Sequence, residues 1–267
     1  MIRKLDEYDK EQVLEYLGEE PAINLFFIGD IESFGFDKDF QEIWADFNID
    51  GDIQAVFLRF YENFIPYSKI SDYDWSAFKE MVIKTEKETE GHVMMSGKES
   101  IIEKFNDILP NHKRRSTFFC EITDKDKLVK EGLDDVKVAN VNDAERIYNL
   151  IKQIEEFRTS VVEIDRIKQK IETQTGRVYY FDNEEEMTTV AQTTAENSMS
   201  AMVVGVATLK DHRNKGQMSR CLSKLCMDLL DEDKTLCLFY DNPKAGKVYH
   251  KLGFKTLEKW TMVSYDA

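Results

Sequence analysis

Prolines are scarce here, four in 267 residues, and cysteines are equally few. The cysteines, Cys120, Cys221, Cys226 and Cys237, form no CxxC pair and no Cys/His spacing of zinc type, and the four histidines are scattered. No metal site is expected. Cys221 and Cys226 fall in an apolar stripe at helical spacing and read as reduced core thiols. No apolar run approaches the ~20 residues a membrane-spanning helix needs. The segment Met1 to Glu7 has no apolar stretch of signal-peptide type. A soluble, cytoplasmic protein without membrane contacts is expected.

Basic residues are scarce in the first part. Residues 1–110 carry 11 Lys and Arg against 25 Asp and Glu, net −14, whereas 111–267 carry 25 against 26, net −1. Within the second part, 205–260 is locally basic, 11 against 7. This balance excludes a nucleic-acid partner, whose binding rests on neutralising phosphates. It suits a cationic partner or substrate. Apolar residues at 42% and aromatics at 12% supply packed cores, and the length suffices for two domains.

The boundary falls around Leu109-Pro110-Asn111-His112-Lys113-Arg114-Arg115, where a helical pattern gives way to a basic patch. This predicts a first domain over 1–110 and a second over 118–267. In the second, a short strand (Val136 to Ala139) precedes a helix with Ile147, Leu150, Ile151 and Ile154 at helical spacing. Another helix is expected over about 160–173 with Val161, Ile164, Ile167 and Ile171. A three-stranded meander follows, from 177 through a turn at Asp182-Asn183-Glu184 to Thr208. A basic loop, a helix, a strand, a helix from Pro243 and a last strand complete the order β-α-α-β-β-β-α-β-α-β. The first half reads as a worn copy of this plan. A strand at Ile2 to Leu5 leads to helices near 9–18 and 21–33, and strands 42–47 and 54–60 follow. A helix at 74–88, a strand at 92–95 and a helix at 98–109 close it.

Two stretches carry chemistry. In the run from Val204 to Met218, a strand enters a basic loop with a glycine and a helix begins at once. Helix N-termini offer unpaired N–H groups and positive dipole ends, so this arrangement suits a phosphate or diphosphate. Gly216 lets the backbone approach the anion closely. In the run from Asn242 to Phe254, Asn242 caps a helix, Pro243 takes its first position and Gly253 ends it. These structural roles do not explain the tyrosine at 249.

Together the two stretches resemble the GNAT acetyltransferase superfamily. Arg213-Asn214-Lys215-Gly216-Gln217-Met218 matches the diphosphate loop, (Arg/Gln)-x-x-Gly-x-(Gly/Ala), and Asn242, Ala245, Tyr249, Lys251, Gly253 and Phe254 match the second family pattern. The resemblance covers about 130–267. Over 1–110 it is topological, implying a tandem protein with a degenerate first copy. It implies an α+β fold whose central, mostly antiparallel sheet splays between strands 199–208 and 236–241. It also implies acetyl-CoA as cosubstrate and no metal. Backbone groups of Val206, Ala207 and Thr208 would hold the pantetheine arm. Amides from Asn214 to Ser219, including those of Lys215, Gly216, Gln217 and Met218, would hold the diphosphate, with Arg213 and Lys215 adding charge. Asn242 would lie beside the cofactor, and Tyr249 would protonate the leaving thiolate. The expected reaction is direct acetyl transfer to an amine on a small molecule or peptide.

Two positions depart from the family pattern. Met218 stands where a small residue is usual, and it either crowds the diphosphate or turns into the core. Cys237 stands where some relatives carry a glutamate base, leaving Glu186, Glu196 or a water chain for that role. These departures motivate the alternative of a catalytically silent acyl-CoA-binding module.

Overall fold

The computed structural model describes residues 1–89, 92–157, 163–183 and 186–265. They form two compact units, Met1–Phe119 with Leu257–Ala267, and Cys120–Thr256. The first elements are β1 (Ile2–Lys4), α1 (Lys10–Gly18), α2 (Leu25–Phe34), β2 (Gln41–Phe47), β3 (Ile53–Phe60), β4 (Asn63–Tyr67), α3 (Ser76–Glu88), β5 (Met94–Lys98), α4 (Glu99–Ile102) and β6 (Lys113–Ile122). There follow β7 (Lys137–Val138), α5 (Ala144–Lys152), α6 (Ile164–Glu172), β8 (Val178–Asp182), β9 (Met187–Thr194) and β10 (Ser200–Thr208). The order closes with α7 (Gln217–Leu230), β11 (Thr235–Tyr240), α8 (Pro243–Lys251) and β12 (Lys255–Ser264).

In the first unit β1 to β4 are joined as antiparallel neighbours, and β4 meets β5 in parallel. The burial of β2 alternates strictly, as one covered face requires. Phe57, Phe64, Phe78 and Phe105 fill the core between sheet and helices. Two strands here escape the sequence pattern. One is β4, whose Pro66 argues against a strand. It fits because the parallel pairing with β5 involves only Asn63 and Phe64. The other is β6, where the run read as a basic boundary patch is a ten-residue strand. The helix expected over 98–109 is one short turn of α-helix followed by a 3₁₀ turn at Glu103–Phe105.

A second domain of 118–267 was expected. Residues from Leu257 onward belong instead with the first unit, because Trp260 to Val263 of β12 pair antiparallel with Met95 to Lys98 of β5.

The second unit follows the expected element order from β7 to α8. Its strands run β11-β10-β9-β8-β7, antiparallel except for β10 with β11. In β9 every residue but Thr194 is buried, because helices cover both faces. On one face Tyr179, Phe181, Ala191 and Val203 meet Leu222, Leu225 and Leu229 of α7 and Val248 and Leu252 of α8 and its end. On the other, Val178, Tyr180 and Val190 meet Ile147 and Ile151 of α5 and Ile167 of α6. The alternation of 178 and 180 with 179 and 181 follows from the period of two in a strand. Val161 and Glu184 lie outside the described residues. No helix among the described residues is long and apolar enough to cross a membrane.

Candidate active site

The site forms where two parallel strands part. Ser200, Ala201 and Met202 of β10 pair with Thr235, Leu236 and Cys237 of β11, and the pairing stops there, although β10 runs on to Thr208 and β11 to Tyr240. A bulge on β10 sharpens the opening. Opposite β9, the register passes from Val204↔Gln192 to Ala207↔Val190, so Gly205 and Val206 together face one residue. Gly205 has φ 57°, and a Cβ there would lie 2.5 Å from Nε2 of Gln192. Only glycine fits. Beyond the bulge, Val206, Ala207 and Thr208 have no register partner on β11.

The loop after β10 presents amides. Asn214 and Gly216 both take left-handed conformations, φ 64° and 74°, which turn successive N–H groups toward one side. Gly216 immediately precedes α7 and nothing lies within 4 Å of where its Cβ would stand. The N–H groups of Asn214, Lys215, Gly216, Gln217, Met218 and Ser219 have no partner among the described residues; the first helical bond runs from Arg220 to the Gly216 carbonyl. Six free donors sit at the positive end of a fourteen-residue helix. Arg213 is fixed by its Nε, which donates to the Thr208 carbonyl at 3.1 Å. The Gln217 side chain accepts from the buried hydroxyls of Thr188 and Thr189, tying the helix start to β9. Met218 is half-buried against the core shared with α7 and α8, so its thioether turns away from the loop.

Tyr249 projects from α8 between the rings of Tyr240 and Phe254, at 6.1 and 5.9 Å. It is half-buried, and no hydrogen bond engages its hydroxyl among the described residues. Burial, with Cys120 nearby, raises its pKa above that of an ordinary phenol, so the group is protonated at neutral pH. Asn242 does not reach into the cleft chemistry: its side-chain oxygen accepts from the Lys244 amide at 2.9 Å and caps α8. Cys237 is fully buried where β10 and β11 are still paired, its thiol directed at the Ala201 carbonyl, and burial pushes its pKa up. It is structural. Glu196 is held by Arg177 at 2.7 Å and Lys234 at 2.8 Å, which leaves it no freedom to act as a base, while Glu186 is exposed. No group of three or more His, Cys, Asp or Glu that could hold a metal occurs among the described residues.

The model of the acetyltransferase (GNAT) family matches residues 144–254. This segment is a GNAT domain. No curated protein matches the chain. Solved structures do. A GCN5-related N-acetyltransferase from Sphaerobacter thermophilus is 11% identical with a TM-score of 0.62, covering 99% of this chain and 95% of its own. A tandem GNAT protein from the clavulanic acid biosynthesis pathway is 12% identical with a TM-score of 0.57, at 99% and 98% coverage. A Drosophila protein reaches 0.67 at 7% identity, with 99% and 98% covered. At such identities the likeness speaks to the fold alone. A GNAT domain over 144–254 implies acyl transfer from an acyl-coenzyme A.

The first unit repeats the GNAT plan with its binding features filled by its own side chains. Here β4, α3 and β5 stand in the order of β10, α7 and β11. At the start of α3 the Asp74 carboxylate takes both the amide and the hydroxyl of Ser76, at 3.0 and 2.6 Å, so an anion is already seated there. A cavity of about 700 Å³ beside the ends of β4 and β5 holds the Glu20 carboxylate, which accepts from the Tyr67 hydroxyl at 2.7 Å and from Lys98 at 2.9 Å. In the GNAT domain itself, the sequence pattern missed the bulge and its Gln192 contact. The available signal was Gly205 inside a strand, which often marks a bulge.

Proposed function

We propose that the second unit is an acetyl-CoA-dependent N-acetyltransferase acting by direct transfer. The observation that supports this most is the set of six unpartnered amides at 214–219, placed at the mouth of the parted strands. Amides left free at a helix start are open to an anion, and a diphosphate would satisfy these together. The pantetheine arm would run along Val206 to Thr208 as a strand fills a gap.

In this reading the acceptor amine, having lost its proton, attacks the thioester carbonyl. The carbon–sulfur bond then breaks, the leaving thiolate takes a proton from the Tyr249 phenol, the new amide nitrogen sheds its extra proton to solvent, and solvent returns one to the phenolate. A phenol with a raised pKa donates a hydrogen bond to the sulfur as charge develops and releases its proton late. Holding donor and acceptor together supplies the larger share, roughly several kcal/mol. Thiol release from acetyl-CoA against a panel of amines tests the proposal, with calorimetry of coenzyme A alongside. Tight cofactor binding with no turnover of any amine would leave a binding module in place of an enzyme.

A further inference from the structure

Among the described residues, Lys170 is a cation without an anion. It projects from α6 onto the sheet, half-buried, and its Nζ donates to Oε1 of Gln192 at 2.8 Å. No carboxylate pairs with it among the described residues, and two of its three donors have no acceptor there. Desolvation lowers its pKa to about 8. A partly desolvated ammonium with one neutral partner has donors to spare.

Its position gives those donors a use. Gln192 reaches from Lys170 to the bulge, its Nε2 packed against Gly205. The ammonium therefore lies one carboxamide length from the strand segment that would hold the acyl donor. It also lies on a defined side. Tyr249 belongs to the face that packs against α7, whereas α6 covers the opposite face. If Tyr249 meets the leaving sulfur from its own face, the acceptor has the α6 face to approach from.

We propose that Lys170 receives a carboxylate carried by the acceptor, so that the substrate class is amines bearing their own acid group, such as short amino acids. This rests on the transferase reading above and replaces the generic cationic acceptor suggested by net charge. The carboxylate supplies the missing acceptors for Nζ, and Gln192 sets the direction of the ammonium while occupying the space beside Gly205.

The test pairs free amino acids, with the amino group on the α carbon or up to three carbons further, against their carboxamides. Binding to the coenzyme A complex is measured by calorimetry, and turnover is followed by thiol release. Acids are expected to bind at least tenfold tighter than amides, with the preference abolished in Lys170→Met and retained in Lys170→Arg. Coenzyme A affinity should be unchanged in both variants. Equal binding of acids and amides, or a preference that survives in Lys170→Met, overturns the assignment of Lys170. The calorimetric arm needs no chemistry, so the outcomes separate. Discrimination without turnover keeps the carboxylate site and removes the transferase, while turnover without discrimination does the reverse.

Discussion

Gly216→Ala isolates the diphosphate seat with a single methyl. The residue sits at φ 74°, ψ 0°, and the added carbon would meet nothing within 4 Å. The folded protein therefore bears only the strain of a left-handed alanine, about 1–2 kcal/mol. That corresponds to a fall in melting temperature of roughly 3–8 °C for a domain of this size. The methyl also stands among the free amides. If it denies a phosphate oxygen one charge-assisted hydrogen bond, about 1.5–3 kcal/mol of binding is lost, roughly 10- to 150-fold in Kd. Calorimetry with coenzyme A reads this directly. S-acetylpantetheine, which has no diphosphate, is the control, and its KM should be unchanged. Coenzyme A binding as tightly to the variant as to the parent protein refutes the reasoning, and so does an equal loss for both ligands.

Tyr249→Phe removes a hydroxyl that no side chain depends on, so melting should move by less than about 1 °C, while kcat falls roughly 100-fold or more at unchanged KM for acetyl-CoA; a kcat near that of the parent excludes the acid role. Glu232 is held below its ordinary value of 4.5 by hydrogen bonds from Arg177. Because the folded pKa is the lower one, this stabilisation is complete above about pH 4.5 and is lost as pH falls through the folded value. Arg177→Met should thus flatten stability between those limits and raise the acid-unfolding midpoint, and an unshifted midpoint would count against it. One coenzyme A per chain is expected by titration, since Asp74 and Glu20 occupy the corresponding places in the first unit; a stoichiometry of two rejects the degenerate copy.

Most of the GNAT domain was legible because its signals are local. The cap at Asn242, the proline after it and the glycine before α7 each act within a few residues. The loop and its glycine could be located from the motif, and the apolar stripe of α7 offered Met218 a place in the core. What was hidden depends on distant partners. Gly205 faces Gln192 across a strand pair, and Lys170 meets Gln192 from a helix 22 residues upstream. Asn242 matched the family pattern, yet its side chain serves the cap. Glu196 could not be dismissed without seeing Arg177 and Lys234 close on it. In the first unit, β4 was obscured because Pro66 argues against a strand unless its neighbours are known.

The strand at 255–264 has a bearing on how the chain is made. The first unit lacks its neighbour for β5 until residues beyond Leu257 have been translated. Synthesis at about 5–20 residues per second delays that moment by roughly 7–30 s after Phe119. Throughout this interval β5 presents an uncovered edge, the kind of backbone that recruits stray strands. The amino-terminal unit is thus begun first and finished last, and a released chain truncated after residue 256 should be cut by protease in the first unit before the second.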